Sequence, residues 1–152
     1  MTTAAIRPDS WDLPLLLHVA GAMILVASVG IAVALLALSW RGETAGLIWL
    51  AFRTLLFGAL PGFVVMRAAA EWILDKENVP DDASWTGIGF TVSDASLVLV
   101  VVATMLCGLT VRRLRRAGGR PGALAGVATA LISLTLVAYG VAIWAMTTKP
   151  GG

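Results

Sequence analysis

The stretch LPLLLHVAGAMILVASVGIAVALLALSW, residues 13–40, decides the architecture. It contains no Asp, Glu, Lys or Arg, and its single titratable side chain is His18. A helix needs about 20 apolar residues to cross a bilayer, so this run is long enough to span one. It is also too long for the apolar core of a signal peptide, and Arg7, Asp9 and Asp12 precede it instead of a basic cluster. The sequence therefore predicts that it stays as a membrane helix. Trp11 suits an interfacial position, and Pro14 suits the first helical turn.

Three further runs behave alike. The spans predicted are about 13–40, 45–70, 92–111 and 122–146, with an extracytoplasmic loop over about 71–94. Where water is absent the backbone must satisfy itself, so helices are expected. None of the runs alternates polar and apolar residues as a barrel strand would. Composition agrees: 59% of the 152 residues are hydrophobic and 13% charged, and the mean hydropathy is +0.89. A water-soluble, disordered or disulfide-stapled chain is excluded on those values. The lone Cys107 has no intrachain partner for a disulfide.

Charge gives the orientation. Arg112, Arg113, Arg115, Arg116 and Arg120 follow the third span without an acid among them, and Arg41 follows the first. Asp9, Asp12, Glu71, Asp75, Glu77, Asp81, Asp82 and Asp94 gather at the other end. The positive-inside rule makes both basic turns cytoplasmic and both termini extracytoplasmic. The fold expected is an all-α membrane protein, a four-helix antiparallel transmembrane bundle forming a single domain over 1–152. A net charge of +2 gives no reason to expect a nucleic-acid partner.

Small residues suggest packing seams, because membrane helices associate through close approach. Ala20, Ala27, Gly30, Ala34 and Ala37 form one in the first helix. Thr54, Gly58 and Gly62 form another in the second, and Gly122, Gly126, Ala130, Ser133 and Gly140 a third in the fourth. Each serves packing within the bundle or contact with a second copy. Pro61 frees the carbonyl four residues earlier and predicts a kink in the second helix. Asn78 to Asp82 predicts a break after it.

Arg53 is the most unusual residue. It lies about nine residues into the second span, roughly 13 Å from the basic end at 1.5 Å per residue. A charge deep in a bilayer costs at least about 2.5 kcal/mol unless relieved. Two readings stand: snorkelling to cytoplasmic headgroups, or a pocket for an anionic headgroup or solute. A second polar set, His18, Tyr139, Arg67 and Glu71 with Asp94, falls at the acidic end. Arg67 and Glu71 form an i,i+4 pair, and fourteen residues separate Arg53 from Arg67, which points both in nearly one direction. Arg53, His18, Tyr139, Arg67 and Glu71 are thus the candidate residues for solute or lipid binding. His18 reads either as a proton-linked switch or as a neutral imidazole bonded within the bundle. The Arg112–Arg120 cluster reads as an anionic-lipid contact or a topology determinant only.

No catalytic constellation is present, so an enzyme is not expected. One histidine does not supply the two axial imidazoles of a membrane haem, and His18, Cys107 and the methionines are scattered. The expectation is no cofactor and no metal.

The segment Leu15-Leu-Leu-His18-Val-Ala-Gly21-Ala22 resembles a loose group of uncharacterised small bacterial membrane proteins whose first helix begins Leu-His-x-x-Gly. It is also similar to copper-resistance D-type membrane domains. Phe52-Arg53-Thr-Leu-Leu, Leu60-Pro61-Gly62 and Met66-Arg67-Ala-Ala-Ala-Glu71-Trp72-Ile resemble the core of such a group. Ala27 stands where those families tend to show a glycine, and the further histidine of a copper role is absent. The resemblance implies a multi-pass protein of the bacterial inner membrane. The functional expectation is a non-catalytic, accessory or assembly protein that packs with lipid, with itself as a homo-oligomer, or with a larger membrane complex. The alternatives are a small transporter, channel or sensor using Arg53 and the outer polar set, and a haem or quinone redox accessory.

Overall fold

The structure is a computed structural model that describes residues 12–41, 44–77, 84–118, 120 and 122–148. They form α1 (Asp12–Ser39), α2 (Thr44–Thr54), a π-helical turn (Leu55–Ala59), α3 (Leu60–Glu77), α4 (Ser84–Ala117) and α5 (Ala123–Thr148). Four segments are long and apolar enough to cross a membrane: Asp12–Ser39, Ala45–Lys76, Gly89–Ala117 and Ala123–Trp144. Among the described residues there is no strand.

The π turn explains the second span. Pro61 has no N–H, so the ladder needs another arrangement just ahead of it. Leu60 N–H donates to the Leu55 carbonyl, one residue further back than in an α-helix. The expected irregularity at Pro61 takes this form, and α2, the π turn and α3 run on as one span.

The third helix departs from the expected boundaries. It begins at Ser84, so residues 84–94 lie on the helix and not in a loop. Thr86, Gly87 and Gly89 lower the local helix propensity, but packing overrides it: Phe90 lies against Arg67 and Asp94 pairs with the same side chain. At the other end α4 carries Arg112, Arg113, Arg115 and Arg116 before it stops, cations at the negative end of the helix dipole. Gly118, with φ +65°, ends it, and its N–H donates to the Leu114 carbonyl at 2.9 Å. The break expected at Asn78–Asp82 lies outside the described residues.

The bundle buries Leu25, Val29, Ala32 and Leu36 of α1 against Ile48, Ala51, Leu55 and Ala59 of the second span. Val100, Ala103 and Cys107 of α4 and Ala125, Ala128 and Ile132 of α5 complete this core. Buried hydroxyls find acceptors in their own helices: Thr104, Thr110 and Thr135 each donate to the carbonyl four residues back. Arg53 apart, the outward face of the spans is mostly apolar, with Met23, Phe57 and Val137 about two-thirds exposed. In water such a surface would drive aggregation; against acyl chains it is the required one.

α1 and α3 approach each other backbone to backbone. A Cβ on Gly21 would lie 2.6 Å from Met66 N and 2.9 Å from the Gly62 oxygen, and one on Gly62 would lie 2.9 Å from Leu25 N. Backbone meets backbone there, so only glycine fits. Gly58 and Gly62 therefore belong to a true seam. The α1 seam differs from expectation: Ala27, Ala34 and Ala37 are exposed and Gly30 faces open space, while Gly21, Leu25, Ser28 and Ala32 make the contact. In α5 the buried face is Ala125, Ala128, Ile132, Thr135 and Tyr139, and Gly122, Ala130 and Gly140 point away. Small side chains mark both faces, and only their partners distinguish them.

Gly62→Ala forces α1 and α3 apart and is expected to destabilise by about 1–3 kcal/mol. Gly30→Ala meets nothing and is expected to be neutral or to stabilise by up to about 1 kcal/mol through helix propensity. Equilibrium unfolding of the two variants in mixed micelles checks the contrast.

A candidate binding cavity at the acidic end

The helices pair unevenly. α1 packs along α2 and α3, α4 packs along α5, and α2 packs on α4, but α3 barely touches α4. The second and third spans meet near the basic turns and separate toward the acidic end. The space left there is a cavity of about 220 Å³.

Each helix supplies part of its wall. α1 gives His18, Leu25 and Val26; α3 gives Met66, Arg67, Ala70 and Ile73; α4 gives Gly89, Phe90 and Ser93; α5 gives Tyr139, Ala142 and Ile143. Most of this lining is apolar; the polar side chains are His18, Arg67, Ser93 and Tyr139. His18 is held by an interhelical bond: its Nδ1 donates to the Met66 carbonyl at 3.1 Å. Since a carbonyl can only accept, Nδ1 carries a proton.

Arg67 reaches across the gap. Its guanidinium stacks on the Phe90 ring at 4.1 Å, its Nε is 3.4 Å from Asp94 Oδ1, and its Nη1 is 3.3 Å from Glu71 Oε1. The side chain is 24% exposed, whereas both carboxylates are more than 60% exposed, so the acids sit at the rim. Nη1 approaches Glu71 off the hydrogen-bonding line and has no acceptor. Tyr139 is 5% exposed, and its hydroxyl has no hydrogen-bond partner among the described residues. Ser96 is its polar neighbour without the geometry of a bond.

The structure thus brings His18, Arg67 and Tyr139 to one cavity, with Glu71 at its rim. Arg53 does not join them. It is exposed on α2, with no ion pair or hydrogen bond among the described residues. The π turn between Arg53 and Arg67 holds an extra residue and rotates α3 about its axis, which undoes the shared direction expected of an unbroken α-helix. Phe90 and Ser93 are members that sequence reasoning missed, because residues 84–94 read as loop. The spacing of Phe90 and Asp94 at i,i+4 carried the signal.

The basic end divides its arginines. Arg115 lies over the Trp49 ring at 5.1 Å and ties α4 to α2. Arg113 and Arg120 border a second cleft of about 260 Å³ beside the start of α5, while Arg112 and Arg116 are exposed. Among the described residues no three His, Cys, Asp or Glu side chains gather as metal ligands would. No protein-family model, no curated relative and no solved structure matches the chain.

A double-mutant cycle of Arg67→Met and Phe90→Leu is expected to give a coupling of about 0.5–1 kcal/mol, rising toward 2 if the pair is well desolvated. Unfolding in mixed micelles reads it, and a zero coupling would show that Arg67 does not bridge α3 and α4.

Proposed function

We propose that this is a small, non-enzymatic multi-pass protein of the bacterial inner membrane, with both termini outside, whose working part is the acidic-end cavity. In this reading the protein takes up a small lipophilic molecule and serves as a binding or sensing accessory. The observation that carries it is the cavity itself: four helices line it with apolar side chains, and a few polar groups converge within it. Such a combination is how small-molecule sites are built. The weak α3–α4 contact supplies a lateral opening toward the acyl chains. The arginine-rich turns support the orientation, which puts the cavity in the outer leaflet.

A second reading, assembly with another copy or a partner subunit, is favoured by one observation. The small-residue stripe Ala27, Gly30, Ala34 and Ala37 of α1 faces outward, where a further helix can approach.

Two experiments check the first reading. A single cysteine placed at Thr2 or Gly152, in a Cys107→Ala background, is expected to react with a membrane-impermeant maleimide in intact spheroplasts. Purification in mild detergent with mass spectrometry is expected to show a small lipophilic molecule retained by wild type and lost from Ala142→Trp, which fills the cavity. Equal retention by both, or by neither, would argue against the cavity as the working part.

A further inference from the structure

The basic end carries a second concave space, and no described residue balances its charge. Arg113 of α4 and Arg120, beyond the end of that helix, both line the cleft of about 260 Å³ beside the start of α5. No Asp or Glu lines it, and none occurs in the sequence after Asp94. Neither arginine makes an ion pair or a hydrogen bond among the described residues. Two like charges that face one concavity repel each other, and its low-dielectric walls focus their field. An anion in the cleft relieves both.

The other arginines of the cluster are disposed differently. Arg115 lies over the Trp49 ring, and Arg112 and Arg116 do not line the cleft. Orientation in the membrane depends on how many cations lie on a side and not on where each side chain points. Topology therefore does not explain why two of them converge on one cleft. Gly122 accepts the Ala125 N–H at 3.0 Å and opens α5 without a side chain to cap it. Ala123 and Leu124, in the first turn, share the wall with the two guanidiniums and add the positive end of the helix dipole to them.

The rest of the wall selects the kind of anion. Guanidinium donors match phosphate oxygens in number and geometry. Beside them lie Leu114 and Leu124, both half-buried, and Thr110, whose hydroxyl is already committed to the Leu106 carbonyl. A soluble phosphate would leave the leucines uncovered, whereas a lipid covers them. A cavity of about 150 Å³ holds benzene, so about 260 Å³ accommodates a phosphate with its glycerol carbons.

We propose that this cleft binds the phosphate of an anionic phospholipid, with Arg113 and Arg120 as its ligands and Leu114 and Leu124 against its glycerol and first acyl carbons. The site is separate from the acidic-end cavity and does not depend on what that cavity holds. With both termini outside, the lipid belongs to the cytoplasmic leaflet.

The test uses the full chain in a mild non-ionic detergent, where insertion orientation plays no part. Dioleoylphosphatidylglycerol or dioleoylphosphatidylcholine is titrated in, and native mass spectrometry reads the first lipid bound. Phosphatidylglycerol is expected to bind at least about tenfold more tightly than phosphatidylcholine, as two arginines acting together would give. Arg113→Gln combined with Arg120→Gln is expected to bring the two lipids within about twofold of each other. Arg112→Gln combined with Arg116→Gln removes the same charge outside the cleft and is expected to keep most of the preference. Equal loss in both pairs, or no preference in wild type, overturns the proposal. Should the first pair not fold, Arg113→Gln alone and Arg120→Gln alone are each expected to lose at least about threefold, and no loss in either overturns it. Glycerol 3-phosphate separates the sources. At a concentration equal to the lipid it is expected to leave phosphatidylglycerol bound; displacement assigns the cleft to a soluble phosphate compound and overturns the lipid.

Discussion

The rest of the molecule depends on the backbone contact between Gly21 of α1 and Gly62 of α3. Neither residue has a side chain to hold the helices apart, and a Cβ on either would collide with the other chain segment. Such proximity fixes where α3 runs, because in a bilayer the gain comes from the fit of surfaces and not from expelling water. Having closed on α1, α3 diverges from α4. The π turn at Leu55–Ala59 lies where this divergence begins, between the part of the second span that packs on α4 and the part that does not. The acidic-end cavity is thus a consequence of one tight contact and one irregular turn.

Arg67 is what the gap makes possible. Its stem starts on α3, its head lies on Phe90 of α4, and its nitrogens meet carboxylates on both helices. A residue that joins two helices only by its tip keeps them related without filling the space between them. His18 does similar work on the other wall by holding α1 to the Met66 carbonyl. Both interactions leave the interior of the cavity largely to apolar side chains, with Tyr139 the deepest polar group on its wall.

The helical spans were legible because their signal is one of length and composition, which survives any detail of packing. Residues 13–40 predicted a helix, and α1 occupies Asp12–Ser39. The seams were only half legible. Gly58 and Gly62 were recognised, but Ala27, Gly30, Ala34 and Ala37 have the same spacing and face outward. Small residues permit close approach without requiring it, and in lipid no polar face marks the outside. His18 and Tyr139, each the sole residue of its type, were singled out with Arg67 at one end of the sequence's polar pattern, and the structure brings the three to one cavity that the pattern itself did not announce. Phe90 and Ser93 were hidden because the glycines and threonines around them weaken local helix propensity. Tertiary contacts decide that segment, and those depend on residues more than twenty positions away.

The second span carries two arginines, and they meet the same physical difficulty in opposite ways. A guanidinium below the membrane surface must reach water, headgroups or protein partners. Arg53 is exposed on the outward face, on the half of the span nearer the basic turns, and its long stem suits snorkelling toward headgroups there. Arg67 turns inward and takes an aromatic ring and two carboxylates instead. The rotation introduced by the π turn separates these outcomes: with an unbroken α-helix the two side chains would share a face and compete for one environment. The charge that looked anomalous in the sequence is therefore the one exposed on the outside of the bundle. The arginine that looked like an ordinary end-of-helix ion pair is the one that organises the interior.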